Sequence, residues 1–184
     1  MKLTGYLTLL TAAACSLVSA VTIPGADTPL FYLIATGPDT AGVNFLPVRL
    51  NGGSNYFSIL TGTGPIAKFY FKQGQLVAVD PVSGPSGQAY RALVNTQQSG
   101  TGTCATFGQF GTVFGSSSNK CASYSTFGLQ SNSENSQLGA HIVFNWTGGF
   151  YVCGAQKEVY YKVNPADGPA GCTQIELYTL PVIQ

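Results

Sequence analysis

The chain has 184 residues, of which 45 % are hydrophobic, 12 % aromatic and only 8 % charged, with a formal net charge of +1. Sparse charge beside many aromatic and β-branched residues is the reverse of a disordered composition. The basic residues Arg49, Lys68, Lys72, Arg91, Lys120, Lys157 and Lys162 stand singly, so no basic stripe exists to neutralise phosphates or grip an anionic bilayer, and neither nucleic acid nor membrane is expected as a partner.

Met1–Ala20 opens with Lys2, continues through the apolar run Tyr6–Leu10 and ends in the small residues Ser19 and Ala20. These are the three parts of a secretory signal peptide. A membrane anchor is the rival reading, and the apolar run falls far short of the ~20 residues that cross a bilayer. The C-terminal Leu180–Gln184 is likewise too short for a lipid-anchor signal. Loss of the leader removes Lys2 and Cys15 and leaves seven basic against seven acidic residues. The expectation is one secreted domain, residues 21–184, whose solubility rests on Ser, Thr, Asn and Gln.

After an extended lead-in with Pro24 and Pro29, the first predicted strand is Phe31–Ala35, broken at Gly37–Pro38–Asp39. Residues 44–50 alternate around Pro47, which cannot donate to a ladder and therefore suggests an edge or a bulge. Tyr56–Leu60 follows. The clearest hairpin joins Lys68–Phe71 to Leu76–Val79 through Gln73–Gly74–Gln75. Its period of two places Phe69 and Phe71 on one face and Lys68, Tyr70 and Lys72 on the opposite, wetter one. Tyr90–Val94 is a strand, and residues 96–102 read as a polar loop. From Cys104 to Glu134, glycines at 108, 111, 115 and 128 predict short, interrupted strands at 112–114 and 123–129, with a turn at 116–120. His141–Phe144 and Phe150–Cys153 read as a second hairpin, followed by strands at 159–163 and 175–178. Nothing has the period of a long helix. Roughly ten to twelve short strands punctuated by turn signals indicate an all-β domain, a sandwich or closed barrel, with a β-trefoil as the alternative.

Four cysteines remain after the leader, Cys104, Cys121, Cys153 and Cys172, an even number in a secreted chain. Three pairings are open. The local one, Cys104 with Cys121 and Cys153 with Cys172, closes loops worth about 3 kcal/mol each in the chain-entropy model. A zinc site needs ligands in close pairs, and these spacings do not supply them, so neither metal nor cofactor is expected.

Asn145–Trp146–Thr147 is an N-glycosylation sequon at a predicted turn. Trp146, Tyr151 and Tyr160 are candidate carbohydrate contacts, because aromatic faces and phenol hydroxyls suit sugar rings. Alternation places Phe150 and one of the Tyr160–Tyr161 pair in the core. For catalysis the inventory is thin. His141 is the only histidine, and a nuclease-like set would need it together with Glu134 or Glu158 and Arg91 as a phosphate clamp. No G-x-S-x-G, H-E-x-x-H or phosphate-cradling loop is present, and no catalytic residue is assigned. A glycosidase would need two of the seven carboxylates at ~5 to 9 Å, and no motif selects a pair.

Val143–Phe144–Asn145 leading through glycine to Phe150–Tyr151–Val152–Cys153, the aromatic strand at Tyr160–Tyr161, and Pro169–Ala170–Gly171–Cys172 before a last strand together resemble the PhiA-type secreted cell-wall proteins of filamentous fungi. The hairpin at Phe69–Val79 is similar to that family's central hairpin, whereas Cys104 and Cys121 have no counterpart in its pattern. The resemblance covers about half of the mature chain. It implies a secreted, non-catalytic protein associated with the fungal cell wall and with development or sporulation, whose partners are wall polysaccharide or wall proteins. A lectin-like module with a defined sugar site is the first alternative and a small secreted hydrolase the second.

Overall fold

The computed structural model describes residues 19–52, 55–124, 126–133 and 137–184. Most of the expected leader, and Glu134, lie outside the described residues. In chain order the strands are β1 (Phe31–Thr36), β2 (Arg49–Gly52), β3 (Asn55–Ile59), β4 (Phe69–Lys72), β5 (Gln75–Ala78), β6 (Tyr90–Gln98), β7 (Cys104–Phe114), β8 (Ala122–Ser123), β9 (Phe127–Gln130), β10 (His141–Phe144), β11 (Gly149–Cys153), β12 (Glu158–Lys162) and β13 (Thr173–Pro181), with a single 3-10 turn at Asp39–Ala41. The expected all-β class is what the structure has. Among the described residues, no helix is long and apolar enough to cross a membrane.

The sheet closes on itself. β1 pairs with β4 at Phe31↔Phe69, and the ladder continues through β5, β6 and β7. From there β7 pairs with β12, β12 with β11 and β11 with β13. β13 returns to β1 along six residue pairs, from Phe31↔Pro181 to Thr36↔Glu176. This ring is a barrel, the one arrangement that leaves no sheet edge along its wall. Pairing shows no threefold repeat, which sets the β-trefoil alternative aside. The β2–β3 hairpin wedges between β7 and β12. The β9–β10 hairpin hangs from β13 at His141↔Tyr178.

Alternation fills the interior. Phe31, Leu33 and Ala35 of β1, Phe69 and Phe71 of β4, Leu76 and Ala78 of β5, and Phe150 and Val152 of β11 belong to one buried cluster. Phe110 sits among the aromatic rings, its centroid 6.2 Å from Phe69, 5.6 Å from Phe127 and 5.6 Å from Phe150. Phe127, Ile142 and Phe144 bring the β9–β10 hairpin into the same core. Truncating a ring such as Phe110 would cost about 3 to 5 kcal/mol.

Four expectations are corrected. The residues 141–153 do not form a hairpin: β10 pairs with β9 and β13, and β11 pairs with β12 and β13. The turn between them has Asn145 at φ 57° and Trp146 at φ 61°, a hairpin-compatible backbone, yet both flanking strands already have their own partners. Tyr70 is not on a wet face. It is buried with Leu30, Val77, Val79 and Val182, and Val21, Ile23 and Ala26 of the lead-in pack against them. The polar residues 96–98 belong to β6, leaving a loop only at 99–103. The glycine-rich middle contains the long strand β7 rather than short fragments. Its Gly108 and Gly111 are there because neighbouring backbone comes too close for a side chain: a Cβ at 108 would lie 2.7 Å from the Asn95 carbonyl carbon, and one at 111 would strike the Tyr56 carbonyl oxygen.

Candidate binding site

Both local disulfides are present. Cys104 at the start of β7 bonds Cys121, and Cys153 at the end of β11 bonds Cys172. The first bond ties the segment before β8 to the barrel, and a polar network continues the tie. Asn119 Nδ2 donates to Asn95 Oδ1 (2.7 Å) and to the Thr96 carbonyl (2.6 Å), while Asn119 Oδ1 accepts from the Cys121 N–H (2.9 Å). Thr96 Oγ1 donates to the Cys121 carbonyl at 2.6 Å. Ser117 N–H donates to the Tyr124 hydroxyl. β8 then lies on the edge of β6 at Val94↔Ser123, beyond the point where β5 pairs with Arg91.

That arrangement builds one wall of a cleft of about 530 Å³ where β6 ends, β7 begins and β12 ends. Val94, Phe144 and Tyr161 contribute core residues, and Gln75, Thr96, Thr106, Ser123 and Asn145 add amides and hydroxyls. Arg91, Lys120 and Tyr124 also line it, and among the described residues no carboxylate does. The Arg91 guanidinium carbon lies 4.2 Å from the centroid of the Tyr124 ring, a cation–π stack. Arg91 Nε and the Tyr161 hydroxyl are both buried with no hydrogen-bond partner among the described residues. Leaving such groups unpaired costs about 1 to 3 kcal/mol each, which native folds tolerate chiefly where a function or a bound molecule accounts for it.

The three proposed sugar contacts are not gathered in this cleft. Trp146 is 64 % exposed and its ring overlies Gly128 of β9, where a Cβ would be 3.1 Å from Trp146 Cζ2. Tyr151 and Tyr160 are cross-strand partners on the outer wall, since Phe150 and Tyr161 point inward. Tyr151 is only 6 % exposed, with the Lys162 ammonium 5.2 Å from its ring centroid, so it has little face to offer a ligand. Tyr160 is half-buried in a small pocket with Phe57, Asn95, Gln97, Phe107 and Gln109, and that burial, ahead of the nearby Glu158 charge, raises its phenol above the ordinary value.

Asn145 is exposed, as a glycan acceptor must be, and lies at the rim of the cleft. The nuclease-like set is not assembled there: Arg91 lines the cleft, whereas neither His141, 5.2 Å from the Tyr178 ring, nor Glu158, at the end of β12 opposite Ile59, does. Among the described residues, no group of three or more His, Cys, Asp or Glu side chains could hold a metal ion. No protein-family model, curated protein or solved structure matches the chain.

The pairing of Arg91 with Tyr124 had no signal in the sequence. The stack joins residues 33 positions apart through a strand of two residues, β8, and a disulfide.

Proposed function

We propose that this is a secreted, non-catalytic, disulfide-stapled protein of a fungal cell wall that binds wall polysaccharide, with a role in development or sporulation. The leader-like N-terminus, the even cysteine set and the partial PhiA resemblance support the location. The observation that carries the binding is the cleft, in which an aromatic ring and apolar floor meet several amides and hydroxyls, the combination by which a concave site holds and orients a small hydroxylated ligand. That same observation favours a second reading over passive association, a lectin-like module with one defined site. Asn145 in its exposed turn is the proposed glycan acceptor, and a glycan there would stand at the rim of the cleft.

The test incubates the purified secreted protein with insoluble chitin, β-glucan and mannan and measures the protein retained as its concentration rises. Saturable retention on at least one, competed by its free oligosaccharide, is expected. No retention on any of the three would overturn polysaccharide binding.

A further inference from the structure

The mature chain is electrically balanced, yet among the described residues its cleft is lined by two cations and by no Asp or Glu, Asp167 touching it only through the hydroxyl of the lining Thr106. Arg91 is the more constrained of the two. Its guanidinium carbon lies over the Tyr124 ring, 4.2 Å from the centroid, and Tyr124 is in turn held by the Ser117 N–H on its hydroxyl. Stacking occupies a guanidinium's face and leaves its edge for in-plane hydrogen bonds. That edge includes Nε, which is buried and has no acceptor among the described residues. A planar fork with an unmet N–H matches the two oxygens of a carboxylate or phosphate, which bind arginine in bidentate fashion and more strongly than a neutral hydroxyl does. Lys120, exposed on the segment pinned by Cys121, adds a second positive charge on the same cleft. The amide of Gln75 and the hydroxyls of Thr96 and Ser123 then suit the neutral remainder of a sugar.

Resting on the polysaccharide reading above, we infer that the cleft selects a saccharide carrying an anionic substituent, a carboxylate or phosphate, which Arg91 binds through its guanidinium edge while Lys120 supplies a second charge. The cleft holds the ligand and breaks no bond in it.

The experiment titrates the full secreted protein, by calorimetry, with trigalacturonate as the carboxylate probe, mannose 6-phosphate as the phosphate probe and mannotriose as the neutral control. Tighter binding of at least one anionic probe than of mannotriose is expected, weakening as salt rises because partly exposed charges are screened. Arg91→Gln should lower affinity for that probe by about tenfold or more, and Arg91→Lys should restore only part of it, since lysine is a point charge without the fork. Lys120→Gln, on an exposed residue that folding does not need, should weaken it about threefold. Which probe wins identifies the substituent. Equal affinity for mannotriose and both anionic probes would overturn the inference while leaving polysaccharide binding intact. Unchanged anion affinity in both Arg91→Gln and Lys120→Gln would also overturn it, and absence of binding by any probe, together with no retention on the insoluble glucans and mannan, would remove both readings.

Discussion

The two disulfide-closed segments are nearly equal in length, with sequence separations of 17 and 19, and they serve the barrel differently. The Cys104–Cys121 segment is tied inward, through Asn119 and Thr96 to the backbone and side chains of β6, and presents Lys120 to a cleft, with Tyr124 just beyond it in the chain. Within the Cys153–Cys172 segment, Tyr161 and Val163 also line the cleft, whereas the loop at 164–171 covers the outer wall. Lys162, 2 % exposed, donates to the Pro169 carbonyl at 2.9 Å, and Asp167 accepts from Thr106 Oγ1 and from the Asn164 N–H. One crosslink shapes a site and the other seals a surface. Similar covalent chemistry therefore predicts similar stability effects and different functional ones.

Replacing either cysteine pair by serine tests that difference with the largest expected effect. Each double variant should lose about 3 kcal/mol in denaturant unfolding. Only Cys104→Ser with Cys121→Ser should also lose ligand retention, measured below its unfolding transition. Loss of retention in the Cys153 and Cys172 variant alone would reverse the assignment.

A smaller effect separates the polar tie from the crosslink. Asn119→Ala removes the side chain that donates to Asn95 Oδ1 and the Thr96 carbonyl and accepts from the Cys121 N–H. It should cost about 1 to 3 kcal/mol and speed hydrogen exchange in residues 117–124 with the disulfide intact. Unchanged exchange there would show that the disulfide alone holds the wall.

The smallest effect belongs to the covering loop. The hydrogen bond from Thr106 holds the Asp167 carboxyl below the usual range, helped by the backbone and side chain of Asn164 and the Lys162 charge, against some desolvation. A carboxyl depressed in the folded state adds stability that is present above its unfolded value of about 3.9 and is lost as pH falls through its folded value. Protection of the Asn164 amide, taken relative to the intrinsic exchange rate at each pH, should therefore fall below about pH 4, and Asp167→Asn should show the lower protection already at pH 7. The 117–124 segment, which has no carboxylate in its ties, should not respond over that range.

These two regions also show what the chain's local pattern can reveal. The β4–β5 hairpin was legible because its signal is local: alternating aromatics meet Gln73–Gly74, which take φ values of 51° and 71° as a two-residue hairpin turn requires. Asn145–Trp146 adopts the same backbone, yet its flanking strands do not pair, because pairing is decided by partners far along the chain. Two disulfides were legible in the even cysteine count, whereas the local pairing was one of three left open and is settled only by the fold. β7 was hidden because its glycines serve close strand contact, and Tyr70 was misread because the lead-in at 21–30 covers the outer face of the β4–β5 hairpin. The sequence offers Arg91 only as the phosphate clamp of a nuclease-like set, whose His141 and Glu158 the fold leaves outside the cleft; Tyr124, Lys120 and the cleft itself depend on barrel closure and carry no sequence pattern.

The most direct measurement is a nitrogen-15 amide titration of the purified protein with trigalacturonate, reading which signals move. Shifts concentrated at Arg91, residues 120–124 and Asn145, saturating together, are the predicted result. Shifts confined to Trp146 and Tyr160, with the cleft residues silent, would contradict it and move the binding surface to the barrel's exposed aromatics.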